Sequence, residues 1–207
     1  RLHRGELPRT SLPEGGVVSD TLDQIRADGY ERVIAVMLSS GLSGTYNMVR
    51  LQAGQRDDLE IAVFDSRSGS LGIGIMVLQL WEEIVAGASW ETLVRERAPH
   101  LVANTFPFFS VDTLEYLRRG GRIGRITALA GTMLSIKPVL HVDDTGHLVP
   151  VSKTRGRKAS LLALVDRMAE SAVDPAGQTI FISHGDCEAD AEFVADEVRR
   201  RFGVQDI

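Results

Sequence analysis

Apolar and polar positions alternate with two different periods through the first half of the chain. Residues 32–38 (RVIAVML) form a continuous apolar run rich in β-branched side chains, which is typical of a strand covered on both faces and favours a parallel sheet. A second such run covers residues 61–64, whereas residues 46–53 and 71–85 carry apolar side chains at helical spacing. Strands that alternate with helices predict right-handed β-α-β units, and therefore an α/β domain with a parallel sheet.

Two serines mark predicted helix starts. Ser19 is placed to cap a short helix that ends at Gly29. Ser89 is placed to cap a later helix, whose spacing turns Leu93, Ala98 and Leu101 inward.

The pattern changes at Thr105, after which strands, turns and helices follow without strict alternation. Residues 143–146 (DDTG) separate two strand-like runs and predict a β-hairpin. Hairpins mixed with helices predict an α+β domain with a mainly antiparallel sheet. We therefore expect two domains, residues 1–104 and residues 105–207. The predicted elements of the second domain are strands at 106–111, 137–142, 147–151 and 179–183 and helices at 112–119, 126–133, 158–172 and 189–202.

Composition excludes several classes of protein. With 43% hydrophobic and 25% charged residues, the chain has the make-up of an ordinary globular protein and not of a disordered or collagen-like one. A net charge of -5 at pH 7 argues against bulk affinity for nucleic acid, which is built from Lys and Arg side chains that neutralise phosphates. Residues 71–81, the longest apolar run, fall well short of the roughly 20 residues that a membrane-spanning helix needs.

The cysteine content and the first residues bear on where the protein works. Cys187 is the sole cysteine, so an internal disulfide is impossible and a reducing cytoplasm is the expected compartment. Residues 1–6 (RLHRGE) contain neither an initiator Met nor the apolar region of a signal peptide. We expect the chain to begin inside a longer protein.

Residues 39–45 (SSGLSGT) form a turn between the first predicted strand and the helix after it. Their hydroxyls, the tight curvature that Gly41 and Gly44 allow, and the free N–H groups of the helix start suit a carboxylate or a phosphate. The same residues serve equally well as a helix cap, and the spacing alone leaves both interpretations open. A hydrolase nucleophile is disfavoured, because Thr45 stands where the G-x-S-x-G motif requires its second glycine.

Motifs for cofactors and metals are weak in this sequence. There is no P-loop, and residues 69–74 (GSLGIG) do not match the dinucleotide fingerprint. His141, His147 and His184 are too dispersed to form a helical metal pair. The sequence therefore predicts no cofactor and no metal site.

Two basic segments stand out in an acidic chain. Residues 118–122 (RRGGR), followed by Arg125, form one, and residues 153–158 (KTRGRK) form the other. Each can supply a cation to an anionic ligand or to an acidic partner. Solvated helix ends explain such clusters at least as often, so neither segment identifies a site alone.

A set of motifs in fixed order runs through nearly the whole chain. The motifs are residues 10–13 (TSLP), 39–46 (SSGLSGTY), 65–66 (DS), 111–125 (VDTLEYLRRGGRIGR), 134–140 (LSIKPVL) and 153–159 (KTRGRKA). Each is weak alone, but their combination resembles the DegV family.

The resemblance implies a fold and a function. It implies a Rossmann-like α/β domain followed by an α+β domain, with a long-chain fatty acid bound between them. It further implies a carrier without turnover of its own, which presents the acyl carboxylate to a separate ATP-dependent fatty acid kinase that makes acyl phosphate for phospholipid synthesis. Nucleic acid is not an expected partner, and transient membrane contact is left open.

The resemblance also implies the residues that hold the carboxylate. The expected hydrogen-bond donors are the hydroxyls of Thr10 and Ser11 in the TSLP turn and of Ser43 in the SSGLSGT turn, assisted by the backbone of Gly44. Arg155 of the KTRGRKA segment is expected near the head group, and Arg122 is a further candidate. Side chains that can line the acyl tunnel, or equally form core, are Ile73, Met76, Val77 and Leu134.

The sequence departs from the family at both ends. Family members have an aspartate-serine strand before the TSLP turn and a histidine-glycine-proline-glycine segment near the end, and neither is present. We expect that both domains are truncated or that the head-group site is incomplete. Alternative interpretations are a serine hydrolase that uses Ser43, an enzyme related to the dihydroxyacetone kinases, and a regulatory module whose basic segments bind an acidic partner.

Overall fold

The structure is a computed structural model that describes residues 10–124, 126, 136–172, 174–204 and 207. Within these residues, two separate sheets form, one parallel and one antiparallel. No helix in these ranges is long and apolar enough to cross a membrane.

The first half of the chain builds a two-stranded parallel sheet with helices around it. Its elements are α1 (Gly15–Ala27), β1 (Arg32–Met37), α2 (Thr45–Ala53), β2 (Glu60–Asp65), α3 (Leu71–Val85), α4 (Trp90–Thr92), a π-helical turn (Leu93–Arg97) and α5 (Ala98–Asn104). Val33 of β1 lies opposite Ile61 of β2, and Met37 lies opposite Asp65. Both strands therefore end at the same edge, and the chain leaves each strand through a polar turn into a helix.

The second half builds an antiparallel sheet with one long helix against it and a second long helix packed on the first. Its elements are β3 (Phe108–Ser110), α6 (Glu115–Arg119), β4 (Ile136–Val142), β5 (Leu148–Arg155), α7 (Arg157–Ser171), a 3-10 turn (Pro175–Gly177) and α8 (Glu188–Phe202). The strand order is β3-β4-β5, and the predicted hairpin joins β4 to β5. Leu161 and Val165 of α7 pack against Val194 and Val198 of α8.

The predicted fold class is confirmed, since a parallel sheet with flanking helices precedes an antiparallel sheet with helices. The division into residues 1–104 and 105–207 stays a prediction. It falls where α5 ends at Asn104, shortly before β3 begins at Phe108.

The prediction that Ser19 caps the first helix is wrong. α1 begins at Gly15, with Glu14 in the capping position, so Ser19 lies inside the helix. Val18 and Leu22 are both buried in a cluster with Leu59, against which side chains of β1, α2 and β2 pack. The apolar stripe therefore begins a turn earlier than the serine suggests, and packing outweighs the local capping preference.

The predicted cap at Ser89 is confirmed. Its Oγ accepts a hydrogen bond from the Thr92 N–H at 3.1 Å, and Leu93, Ala98 and Leu101 are buried as predicted. One of the N–H groups that a helix start leaves without an intrahelical partner is satisfied in this way.

Ser89→Ala is expected to lower the free energy of unfolding by about 1 kcal/mol, the usual cost of losing such a cap. Urea denaturation followed by circular dichroism measures the change. Ser19→Ala is the matched control, expected to be neutral or slightly stabilising because alanine favours a helix interior. Equal losses in the two variants would contradict the assignment of Ser89 as a cap.

The predicted strand at 179–183 is wrong, because residues 178–184 form no strand. Ile180 and Ile182 do pack against the α7 and α8 core, while Phe181 is 40% exposed. The alternating pattern thus reports side chains that alternate between exposed and partly buried positions, but no neighbouring strand pairs with this segment among the described residues. Of the predicted helix at 126–133, all residues except Ile126 lie outside the described part of the chain.

Candidate functional site

The turn after β1 is closed by its own backbone. The Ser39 carbonyl oxygen accepts hydrogen bonds from the N–H groups of Leu42 at 2.9 Å and Ser43 at 3.1 Å. The Ser43 hydroxyl lies 2.8 Å from the Thr45 hydroxyl and accepts a hydrogen bond from the Thr45 N–H at 3.3 Å. Hydroxyl groups and the positive end of α2 therefore meet in one place, which is an arrangement that suits an anion.

Asp65 joins this turn to the turn that follows β2. Its Oδ1 accepts hydrogen bonds from the N–H groups of Ser40 and Arg67, each at 3.1 Å. The Ser39 N–H donates to the Ser68 carbonyl oxygen at 2.9 Å. The two turns are therefore held side by side at one edge of the parallel sheet, and Asp65 is occupied in holding them.

Arg122 reaches the first turn from the second half of the chain. Gly120 caps the end of α6, and Gly121 has a φ of 73°, so the chain reverses after the helix. The Arg122 Nε donates to the Leu42 carbonyl oxygen at 3.1 Å, and its Nη1 donates to the Gly120 carbonyl oxygen at 2.6 Å. Among the described residues, these bonds use only part of the five N–H donors of the guanidinium group.

A large cavity of about 1130 Å³ is lined by residues of both halves of the chain. Small-molecule sites commonly have volumes of roughly 300 to 1,000 Å³, so the space is ample for a long ligand. Apolar side chains from α3, β3, α7 and α8 form much of the lining. They include Leu71, Ile75, Phe108, Leu161, Val165 and Val194.

The structure brings the hydroxyl candidates and one of the arginines to this cavity. Thr10, Ser11, Ser43 and Arg122 all line it, together with Thr45. Gly44 is the residue at which α2 is capped. Gly44 is not among the described residues that line the cavity. A side-chain carbon at Gly44 would lie 3.3 Å from the Leu12 side chain. This contact places the TSLP turn against the SSGLSGT turn.

Arg155, the other predicted arginine, is not brought to the cavity. It is exposed at the end of β5, and Arg157 lines the cavity instead. The signal for Arg157 is in the sequence, because Gly156, with a φ of 85°, ends the strand and turns the chain into α7.

Arg157 forms a second polar group on the cavity wall. Its Nε donates to the Asp190 carboxylate at 2.7 Å, and its Nη1 lies 3.4 Å from the Ser110 hydroxyl. Burial of the guanidinium opposes its charge, but the hydrogen bond and charge of Asp190 outweigh burial and raise the pKa of Arg157 above its ordinary value. The side chain therefore stays cationic and ties the start of α7 to the start of α8.

The residues of α3 that line the cavity are neighbours of the predicted tunnel residues. Met76 is 1% exposed in the core against β1, and Val77 is 47% exposed on the outside. Neither of them, nor Ile73, lines the cavity; the helical face that does so includes Leu71 and Ile75. The hydrophobic pattern places apolar residues on every face of α3, so it cannot select the one that faces the cavity. The last predicted tunnel residue, Leu134, lies outside the described residues.

The partners of Ser43 and the placement of metal-ligating side chains bear on the hydrolase and metal interpretations. The hydrogen bonds that the Ser43 hydroxyl makes within them go to Thr45, and not to a histidine that can take its proton. In the same ranges, no group of three or more His, Cys, Asp or Glu residues can hold a metal ion.

The fold and the cavity define a class of α/β protein in which polar turns at helix starts face a largely apolar space. A family model described as "Uncharacterised protein, DegV family" matches residues 1–207, and the chain belongs to the DegV family. A DegV domain-containing protein of Clostridium perfringens is 35% identical over 193 residues, which are 93% of this chain and 68% of the relative.

Solved structures with the same fold include two fatty-acid-binding proteins. A fatty acid binding DegV family protein from Streptococcus agalactiae superposes with a TM-score of 0.86 at 28% identity, covering 94% of this chain and 68% of its own. DegV of Bacillus subtilis, a fatty acid binding protein, superposes with a TM-score of 0.81 at 28% identity, covering 99% of this chain and 72% of its own.

Proposed function

We propose that this protein binds a long-chain fatty acid in the cavity, with the carboxylate at the turn that holds Ser43. The observation that carries the proposal is that one cavity joins a group of hydroxyls and a guanidinium to a large apolar lining. In this assignment, Thr10, Ser11 and Ser43 donate hydrogen bonds to the carboxylate, and Arg122 supplies a positive charge. The backbone of Gly44 orients the start of α2 toward the same point.

The energetics favour a long apolar ligand with a single anionic end. Each buried methylene contributes about 0.8 kcal/mol, so the acyl chain is the main source of affinity. A carboxylate taken out of water without partners costs several kcal/mol, which charge-assisted hydrogen bonds offset. The apolar wall thus sets the affinity and the polar turn sets the orientation of the ligand.

The relatives support the class of ligand. The proteins from Streptococcus agalactiae and Bacillus subtilis bind fatty acids and share the fold over nearly the whole of this chain. The lining residues come from both sides of the predicted boundary at residue 104, which agrees with a ligand held between two domains, residues 1–104 and 105–207.

We further propose that the protein is a cytoplasmic carrier that presents the bound carboxylate to a separate ATP-dependent kinase. This step rests on the family resemblance. It also agrees with the absence, in the sequence, of a P-loop that could hold ATP phosphates. An ATP titration and an ester-hydrolysis screen of the purified protein are both expected to be negative.

The decisive test is the ligand that the protein carries. Native mass spectrometry of purified protein is expected to show bound long-chain acyl groups, and Ser43→Ala is expected to retain palmitate about tenfold less well, the loss of one hydrogen bond to a charged group. Ser19→Ala is the control, because Ser19 lies in α1 away from the cavity lining. Protein free of acyl chains and without affinity for added palmitate or oleate would refute the proposal.

A further inference from the structure

The tip of the β4–β5 hairpin has a fixed internal structure. The Asp143 N–H donates to the His147 carbonyl oxygen at 2.9 Å, and the Gly146 N–H donates to the Asp143 carbonyl oxygen at 2.8 Å. The Asp143 carboxylate also accepts hydrogen bonds from the N–H groups of Thr145 and His147 at 2.9 and 3.0 Å. The hairpin therefore presents the Gly146 carbonyl oxygen in one orientation.

That carbonyl oxygen is bound by the turn of the proposed carboxylate site. The Ser39 hydroxyl donates to the Gly146 carbonyl oxygen at 2.7 Å, across 107 positions of sequence. Ser39 is completely buried and does not line the cavity. Its hydroxyl is thus committed to the hairpin, whereas its carbonyl oxygen holds the N–H groups of Leu42 and Ser43.

Gly41 and Gly146 leave no room for a side chain where the SSGLSGT turn meets the hairpin tip. A side-chain carbon on Gly41 would lie 2.3 Å from the Gly146 carbonyl oxygen, and one on Gly146 would lie 2.5 Å from the Ser39 hydroxyl. Gly146 also has a φ of 79°, which favours glycine. The turn and the hairpin tip consequently fit only as glycine against glycine.

We propose that Ser39 and Gly146 form a clasp that positions Ser43 for the carboxylate. The clasp is the hydrogen bond from the Ser39 hydroxyl to the Gly146 carbonyl oxygen, with Gly41 packed against it. One hydrogen bond, from the Ser43 N–H to the Ser39 carbonyl oxygen, links the clasp to the ligand-facing hydroxyl. Ser39 is therefore a positioning residue, and the hairpin of the second half of the chain helps to set head-group recognition in the first. This inference rests on the proposed function.

The test separates head-group recognition from general binding. Dissociation constants of Ser39→Ala are measured for palmitate and for methyl palmitate, which has the same acyl chain without the charge. The variant is expected to bind palmitate about tenfold more weakly, the equivalent of about 1.4 kcal/mol, while its affinity for methyl palmitate changes less than about twofold. Equal weakening of both ligands, or of neither, would overturn the clasp.

Thr154→Val is the matched control. The Thr154 hydroxyl also donates to a carbonyl oxygen of the hairpin, that of Lys137, and also at 2.7 Å, but this bond lies within the hairpin. Thr154 does not line the cavity. This variant is expected to bind both ligands like the wild type. A loss of palmitate selectivity in Thr154→Val equal to that in Ser39→Ala would assign the effect to the hairpin as a whole and overturn the inference.

Hydrogen exchange on the wild-type protein tests the clasp without any substitution. Palmitate is expected to increase the protection of the amides at residues 41–43 and at residues 145–147 together, and methyl palmitate is expected to do so much less. Protection confined to residues 41–43 would overturn the clasp while leaving the fatty acid site in place. Wild-type protein that binds neither ligand would refute the proposed function itself.

Discussion

Replacing Arg122 with methionine is expected to weaken palmitate binding by about 10- to 100-fold, the range of a lost charge-assisted interaction. The guanidinium of Arg122 lines the cavity beside the SSGLSGT turn and is bonded to the Leu42 carbonyl oxygen. Methionine keeps an unbranched apolar stem but removes the charge and every N–H donor. Isothermal titration with palmitate measures the loss, and methyl palmitate is expected to bind almost as well as to the wild type.

Arg155→Met is the matched control for this experiment. Arg155 lies exposed at the end of β5 and does not line the cavity. Its replacement is expected to change palmitate affinity less than about twofold, because an exposed charge away from a ligand is largely screened. If Arg155→Met instead weakened binding as strongly as Arg122→Met, the assignment of the head-group cation from the structure would be wrong.

Strong local patterns made much of the fold predictable from the sequence. The helix predicted at residues 71–85 has those same bounds in the structure, since its apolar residues recur at helical spacing from Leu71 to Val85. The β4–β5 hairpin was likewise predictable, because a short polar turn separates two runs with strand composition. In both cases the pattern of residues that predicts the element lies within the element itself.

The candidate site was predictable only in part, because its geometry depends on long-range contacts. The hydroxyls of the two turns could be named, since each turn follows a strand or carries a family motif. The choice between Arg155 and Arg157 depends on the positive φ of Gly156. The glycine marks a change of chain direction in the sequence, but it does not report which of the two arginines faces the cavity. The contact of Ser39 with Gly146 is invisible in the sequence, since the two residues carry no common pattern.

Gly72→Ala is expected to lower the free energy of unfolding by about 1 to 3 kcal/mol, the usual cost of overpacking. A side-chain carbon at Gly72 would lie 1.9 Å from the Ser68 Oγ and 3.1 Å from its Cβ. Gly74→Ala is the matched control in the same helix, because nothing lies within 4 Å of the corresponding position. Alanine there is expected to stabilise the protein by up to about 1 kcal/mol, since it favours helix more than glycine does.

Ser68 links this prediction to a second, opposite one. Its hydroxyl is completely buried and has no hydrogen-bond partner among the described residues. An orphaned buried polar group costs about 1 to 3 kcal/mol, so Ser68→Ala is expected to stabilise the protein. The same change removes the atom that clashes most closely with a side chain at Gly72, so Gly72→Ala is expected to cost much less in the Ser68→Ala background. Urea denaturation of the wild type, the two single variants and the double variant measures the coupling free energy between the two positions. Additive effects would show that the Ser68 hydroxyl is not what excludes a side chain at Gly72.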